Sequence, residues 1–315
     1  MTIESACNLI VKEFRSRPTL RAGSLITTVF GDSIAPRGGT VWLGSLIRAM
    51  AEFGINERLV RTSVYRLVQD GWLQSSQVGR RSFYSLTDEG RGKFRAATHR
   101  IYGEPVTGWN GEWCLLLLSN LEAPVKESLR RECSWLGFGP LSANVLAHPA
   151  PDESDLETTL KRVGGAEEVV VMSAQTLGSD APMRKLAATA WNLDDIDARY
   201  QKFVTMFRPL FNALKKTRKV DPRNAFVTRT LLIQEYRKVL LREPQLPQEL
   251  LPAGWHGTAA YQLCRNLYRG LHEAADDYLT EVMETADGPL PPPAGSYLLR
   301  FGGLENADAK QRKSA

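Results

Sequence analysis

The 315-residue chain reads as an α+β protein built in three consecutive blocks. Three observations carry that reading. The first third alternates helix signals with one hairpin signal, the middle holds short apolar runs between amphipathic segments, and the last third is a series of long amphipathic runs. A chain of this length also exceeds what one compact core usually holds.

Residues 1–17 read as a helical arm that stops before Pro18. Leu20 to Phe30 places apolar residues at helical spacing, and Gly31 to Gly39, with a proline and paired glycines, reads as a loop. Thr40 is placed to cap a second helix over Val41 to Phe53, which Gly54 ends; Asn56 caps a third that runs to about Asp70 and stops at Gly71. Two short alternating stretches follow, Trp72–Ser76 and Ser82–Leu86, joined by Gln77-Val-Gly-Arg-Arg81, a hairpin by length and by its turn glycine. A further helix starts near Thr87, with Asp88 and Glu89 in its first turn, where acids suit the helix dipole. Helix, helix, helix, hairpin, helix is the winged helix-turn-helix order, here between about Thr19 and Leu86.

In the middle block, Glu112 to Ser119 is a strand, Ala123 to Leu136 is helical, and Gly139 to His148 holds one or two strands. Asp152 to Val163 is helical again and Glu168 to Ser173 is a buried strand, which makes a βαββαβ, ferredoxin-like order. The last block has helices over Leu193–Leu214, Arg223–Arg242 and Thr258–Glu284. A proline-rich tail follows, with a mobile end at Lys310-Gln-Arg-Lys-Ser-Ala315. The expected domains are therefore 1–103, 104–190 and 191–290, with a tail over 291–315.

Composition narrows the class. With 43% hydrophobic and 24% charged residues the chain is of ordinary globular type. Its longest apolar run, Trp113–Leu118, falls far short of the ~18 residues of a membrane helix. The start Met1-Thr-Ile-Glu-Ser5 shows no signal-peptide pattern, so a cytoplasmic location without membrane contact is expected. Cys7, Cys114, Cys133 and Cys264 are widely spaced and read as free thiols. Residues 1–103 hold 15 Lys and Arg against 8 Asp and Glu, a surplus of seven on a chain of net charge +5, which leaves the remainder at −2. A basic first third on a near-neutral body suits nucleic acid.

The third helix sorts its faces. At ~100° per residue, Leu59, Val60, Val64, Leu67 and Val68 gather on one side. Arg58, Arg61, Thr62, Tyr65 and Gln69 gather opposite, with Arg66 on the flank. Such a face is either solvated or reads a major groove, where Arg recognises guanine, Gln adenine, and Thr a methyl or phosphate. A Gly-Arg-Arg hairpin tip favours the second reading, because Arg80 and Arg81 are placed to enter a minor groove or clamp phosphates. Arg37 serves either a backbone contact or the turn itself, whereas Trp42, Trp72 and Phe83 read as core.

No catalytic constellation accompanies these signals. The strand over Trp113–Leu118 ends in Ser119-Asn120 without a metal-binding carboxylate, and Asp194-Asp195 and Asp276-Asp277 are adjacent on helices, so their side chains diverge. The four histidines show no ligand spacing, and neither a catalytic nor a metal site is expected.

Ser24–Ile47, Gly54-Ile-Asn-Glu-Arg-Leu-Val-Arg-Thr62, Asp70-Gly-Trp-Leu73 and Gly79–Thr87 together resemble the PaaX family, repressors of phenylacetic acid degradation operons. Trp191-Asn-Leu-Asp-Asp-Ile196, Glu235–Pro247, Glu249-Leu-Leu-Pro252 and Trp255 extend the resemblance, which covers roughly 20–285. Gln234 stands where the family pattern has a histidine, and His256 where a proline often follows the tryptophan.

The resemblance implies a winged helix, a middle domain similar to a small CRISPR-associated nuclease, and a helical C-terminal domain. It also implies a homodimer on double-stranded operator DNA, released by phenylacetyl-CoA or another acyl-CoA. A pocket for such an effector needs cations and an apolar slot. Arg229, Arg237, Arg242, Arg265 and Arg269, beside Trp191, Tyr236 and Tyr268, are the candidates, though each also fits as a surface cation or core aromatic. The alternatives are a winged-helix regulator of another aromatic or acyl-CoA pathway and, from the middle domain, a metal-dependent nuclease.

Overall fold

A computed structural model describes residues 1–304 except 19–20, 106–107, 150, 165–166, 178–179, 218 and 245. Leu20, at the start of the expected second helical segment, and the expected mobile end over 310–315 lie outside the described residues. The chain is mixed α/β, helical towards both ends and with its largest sheet in the middle.

The N-terminal arm is α1 (Ile3–Arg15), and its helix starts on Thr2, whose hydroxyl accepts the Ser5 N–H at 3.2 Å. The second segment is α2 (Ala22–Val29), which continues without a break through a π-helical turn at Phe30–Ile34 and a 3₁₀ turn at Ala35–Arg37. The expected loop over Gly31–Gly39 is thus largely helical. It is anchored by buried Asp32, Ser33 and Ile34, which chain-local signals do not reveal.

Thr40 does not cap a helix; it opens β1 (Thr40–Trp42), and α3 (Leu43–Ala51) begins only afterwards. Val41 is fully buried, and β1 pairs antiparallel with a strand some forty residues later, so a long-range ladder overrides the local helical spacing. Next come α4 (Glu57–Gln69), β2 (Leu73–Val78), β3 (Arg81–Leu86) and α5 (Asp88–Tyr102). The three strands form a sheet in the order β1-β3-β2. The Thr87 hydroxyl accepts the Gly90 N–H at 2.9 Å and so caps α5 where the sequence places its start.

The middle elements are β4 (Glu112–Leu117), α6 (Ala123–Trp135), β5 (Gly139–Ser142), β6 (Val145–His148), α7 (Glu153–Val163), β7 (Val170–Gln175) and α8 (Asp180–Ala190). The βαββαβ order holds, with the sheet arranged β5-β6-β4-β7 and every neighbouring pair antiparallel. One face is sealed by Leu129 and Cys133 of α6 and Leu156 and Leu160 of α7, packed on Leu116 and Leu146. Trp191 lies against the sheet as well, its indole N–H donating to the Gly137 carbonyl at 2.8 Å.

The C-terminal part comprises α9 (Leu193–Leu214), α10 (Pro222–Leu240), α11 (His256–Val282), the two-residue strands β8 (Glu284–Thr285) and β9 (Gly288–Pro289), and α12 (Gly295–Leu298). Among the described residues, no helix is long and apolar enough to cross a membrane.

Two compact units result. One joins the chain up to Glu104 with Gln201–Leu240 and the stretch from Thr258 onward; the other holds Pro105–Tyr200 and Leu241–Gly257. In the first unit a row of rings runs Phe14, Phe53, Phe226, Tyr278, with centroids 6.5, 5.7 and 4.7 Å apart. This row ties the N-terminal helices to α10 and α11 by aromatic burial.

Beside it lies a buried charge cluster. Asp32 is 1% exposed and accepts from the hydroxyls of Tyr102 (2.7 Å) and Tyr268 (2.8 Å) and from Arg300 (3.0 Å). Arg229 places its Nε 3.1 Å from the other Asp32 oxygen and its Nη1 2.7 Å from Asp276. Arg37 reaches the same Asp276 oxygen at 2.7 Å and the Ser33 carbonyl at 3.0 Å, so it holds the turn rather than projecting outward. Charges are retained in a dry interior only when paired in this way. Tyr297, Arg300, Phe301 and Leu304 are also buried, so the segment beyond the proline run supplies core residues.

Candidate nucleic-acid interface

Gly54, at φ +78°, follows the end of α3, and Asn56 starts α4 with its Oδ1 accepting the Leu59 N–H at 2.9 Å. Val60, Ser63 and Val64 point into the core, and Leu59, Leu67 and Val68 are half-buried. The opposite side presents Arg58, Arg61, Thr62, Tyr65, Arg66 and Gln69, every one exposed; Tyr65 is 63% exposed. The five residues expected on this face, and Arg66 expected on its flank, are thus all exposed. Arg61 is steadied one turn back by Glu57, Nε to Oε1 at 2.8 Å, and the Thr62 hydroxyl donates to the Arg58 carbonyl at 2.9 Å.

The hairpin is tighter than its sequence suggests. Val78 faces Arg81 across the ladder, so the turn is Gly79-Arg80 alone. Gly79 has φ +61° and Arg80 does not share a positive φ, the pattern of a type II′ turn with glycine first. Arg80 is exposed at the tip.

Arg81 is placed differently. Its guanidinium carbon lies 4.3 Å from the centre of the Trp42 ring, and its Nη1 is 3.0 Å from Glu284. Glu284 also holds Arg48 at 2.7 Å. Arg48, Trp42 and Glu284 are features that the sequence reading did not attach to this site. No signal along the chain joins residue 284 to a hairpin two hundred residues earlier.

The effector candidates are divided between the two units. Trp191 and Arg242 belong to the second unit, the other six to the first. Arg229 and Tyr268 are wholly buried in the charge cluster, where burial pushes the Tyr268 hydroxyl well above its ordinary range. Tyr236 is buried with its ring 5.5 Å from Phe203. Arg237 donates to Thr28 at 2.8 Å and to the Ser24 carbonyl at 2.8 Å, and burial lowers its pKa. Gln234, at the position that departs from the family pattern, is buried and donates to Ser24 at 3.0 Å. Arg265 is half-buried and Arg242 exposed. A cavity of about 600 Å³ in the second unit is lined by residues including Trp113, Cys114, Glu153, Leu156 and Met172, and none of the effector candidates lines it.

These features define a multidomain α/β protein that joins a basic helix-and-hairpin head to a four-stranded βαββαβ domain and a helical C-terminal part. Three family models match in succession: PaaX-like protein over residues 21–90, the PaaX protein central Cas2-like domain over 106–186, and the PaaX-like protein C-terminal domain over 191–281. The chain belongs to the PaaX family. It is 41% identical over 284 residues to the transcriptional repressor PaaX of Escherichia coli (strain K12), covering 89% of this chain and 90% of that one. Among solved structures, it is similar to the uncharacterized protein Rv0674 from Mycobacterium tuberculosis. That match has a TM-score of 0.54 at 25% identity and covers 82% of this chain and 99% of the other.

Proposed function

We propose that the chain is a transcriptional repressor that binds double-stranded operator DNA through a winged helix-turn-helix and is released by phenylacetyl-CoA or another acyl-CoA. In this reading α3 and α4 are the helix-turn-helix pair, α4 enters the major groove, and the β2–β3 hairpin is the wing. The observation that carries it is the outer face of α4. Six polar side chains suited to base edges and phosphates stand exposed on one capped helix whose other side is core. Membership of the PaaX family, and a relative named as a repressor, support the same reading.

A repressor of this kind works in the cytoplasm as a homodimer on paired half-sites, and acts by binding rather than by catalysis. Release by an acyl-CoA requires that ligand to bind the DNA-free conformation more tightly than the bound one. Linkage is reciprocal, so operator DNA must weaken acyl-CoA binding by the same factor that acyl-CoA weakens DNA binding. A mobility-shift titration of a selected operator against a panel of acyl-CoA thioesters, paired with calorimetry of each thioester with and without DNA, measures both factors. Phenylacetyl-CoA is expected to release the complex most effectively, with matching factors. Equal thioester affinity in the presence and absence of DNA would refute the release mechanism.

A further inference from the structure

The contact between Glu284 and the hairpin extends the proposed DNA-binding reading and rests on it. Glu284 is not a loose surface acid. Met283 before it is fully buried, and Leu290 closes the small β8–β9 hairpin by donating its N–H to the Met283 carbonyl at 2.9 Å. The Glu284 N–H donates to the Ser45 hydroxyl on α3 at 3.2 Å. Its carboxylate is thereby fixed at the end of β1, where one oxygen meets Arg48 at 2.7 Å and the other meets Arg81 at 3.0 Å. Arg48 also donates to the Val282 carbonyl at 3.1 Å. Both guanidiniums lie near the Trp42 indole, 5.2 and 4.3 Å from its centre. Trp42 has room there because residue 44 is glycine: a Cβ at Gly44 would fall 2.4 Å from the Trp42 ring.

The bond from Arg48, and after it the bond from Arg81, hold the Glu284 carboxyl below the ordinary carboxylate range, so it is charged at neutral pH. Exposed pairs of this sort add little to stability, because water screens them. Their effect lies in the field of the hairpin. Two half-exposed arginines beside the reading head would otherwise be free to meet any phosphate, and one internal carboxylate occupies both.

We propose that Glu284 is a positioning residue that withholds Arg48 and Arg81 from the DNA backbone and so limits sequence-independent binding. With Glu284 in place, Arg80 is the arginine the hairpin offers to DNA, and affinity depends more heavily on the base-reading face of α4. Glu284 stands just beyond the end of α11, so this restraint comes from the C-terminal part of the chain.

The test compares the full-length wild type with Glu284→Gln, Glu284→Asp and Glu284→Gln/Arg81→Ala on a mixed-sequence duplex and on a selected operator, across a salt series. Each arginine released onto a phosphate steepens the slope of log K against log salt by about 0.9, equivalent to about fivefold in affinity near ~0.15 M salt. Glu284→Gln is expected to bind the mixed duplex about fivefold to thirtyfold tighter, with a steeper slope and a smaller operator preference. Glu284→Asp, which keeps the charge, should stay near wild type, and adding Arg81→Ala should remove much of the gain.

An unchanged or shallower slope for Glu284→Gln, with its melting profile intact, overturns the proposal. Arg61→Ala separates this failure from that of the underlying reading. If Arg61→Ala weakens operator binding while Glu284→Gln changes nothing, the inference alone falls; if the wild type binds neither duplex, both fall.

Discussion

Asp32→Asn offers the most direct probe of how the first unit is held together. The carboxylate spends one oxygen on Tyr102, Tyr268 and Arg300, and the other faces Arg229 at 3.1 Å. An asparagine keeps the shape but loses the charge, and its amide places a donor against another donor. If the amide nitrogen takes the Arg229 side it meets a guanidinium; flipped, it meets two hydroxyls and Arg300. Arg37 and Arg229 would then share Asp276, while Arg300 would lose its carboxylate partner and keep the Tyr268 hydroxyl and the Gly31 and Asp32 carbonyls.

Removing one partner from a buried ion pair costs about 3–5 kcal/mol, a large share of the ~5–15 kcal/mol by which domains are stable. At about 2–4 °C per kcal/mol, the melting midpoint should fall by roughly 6–20 °C. Acid should act on the wild type through the same group. Burial alone would raise the Asp32 pKa, but Arg229, Arg300 and the two tyrosine hydroxyls hold it below the ordinary value. The folded form therefore binds the proton less well than the unfolded chain. Its stabilisation is complete above about pH 4 and is lost as pH falls through the lowered folded value. Urea unfolding of both proteins between neutral pH and pH 3 measures this, and the gap between them should narrow on acidification. A variant within about 1 kcal/mol of wild type at neutral pH would show that the cluster is not a buried charge network.

Further outcomes follow from the proposed DNA-binding head. Arg61→Ala should cost about 1–3 kcal/mol on the operator and relax preference at one base pair, read by binding to a set of single-base operator variants. Arg80→Ala should weaken all duplexes alike and lower the magnitude of the salt slope by about 0.9. Asn56→Ala removes the acceptor for the Leu59 N–H and should cost about 1 kcal/mol of stability, seen in the urea midpoint, with a parallel loss of operator affinity as α4 frays.

Much of the head was legible because its signals are local. Asn56, Thr87 and Gly79 mark their boundaries by hydrogen bonds and a positive φ within three residues, and the face of α4 follows from helical periodicity alone. What escaped depends on partners far along the chain. Thr40–Trp42 carries apolar residues compatible with a helix and becomes a strand only because β3 is there to pair with it. The turn after α2 resembles a loop in composition, yet Asp32 is held by residues 102, 268 and 300. Arg229 and Tyr268, attractive as ligand contacts by residue type, lie in the same cluster, and an arginine or tyrosine looks alike in sequence whether its polar atoms face a ligand or a protein partner. Arg81 was rightly placed at the hairpin, while its engagement with Glu284 needed the fold.

The length of α11 gives the charge cluster mechanical reach. One helix of 27 residues carries Tyr268 and Asp276 and ends two residues before Glu284. At 1.5 Å per residue, the end of α11 at Val282 stands about 21 Å from Tyr268, so a tilt of only about 5° about that point would move it by about 2 Å. That travel is comparable to the 2.7 and 3.0 Å separations it has to break. A small rotation of the helix about Tyr268 would in this way be magnified at the base of the hairpin.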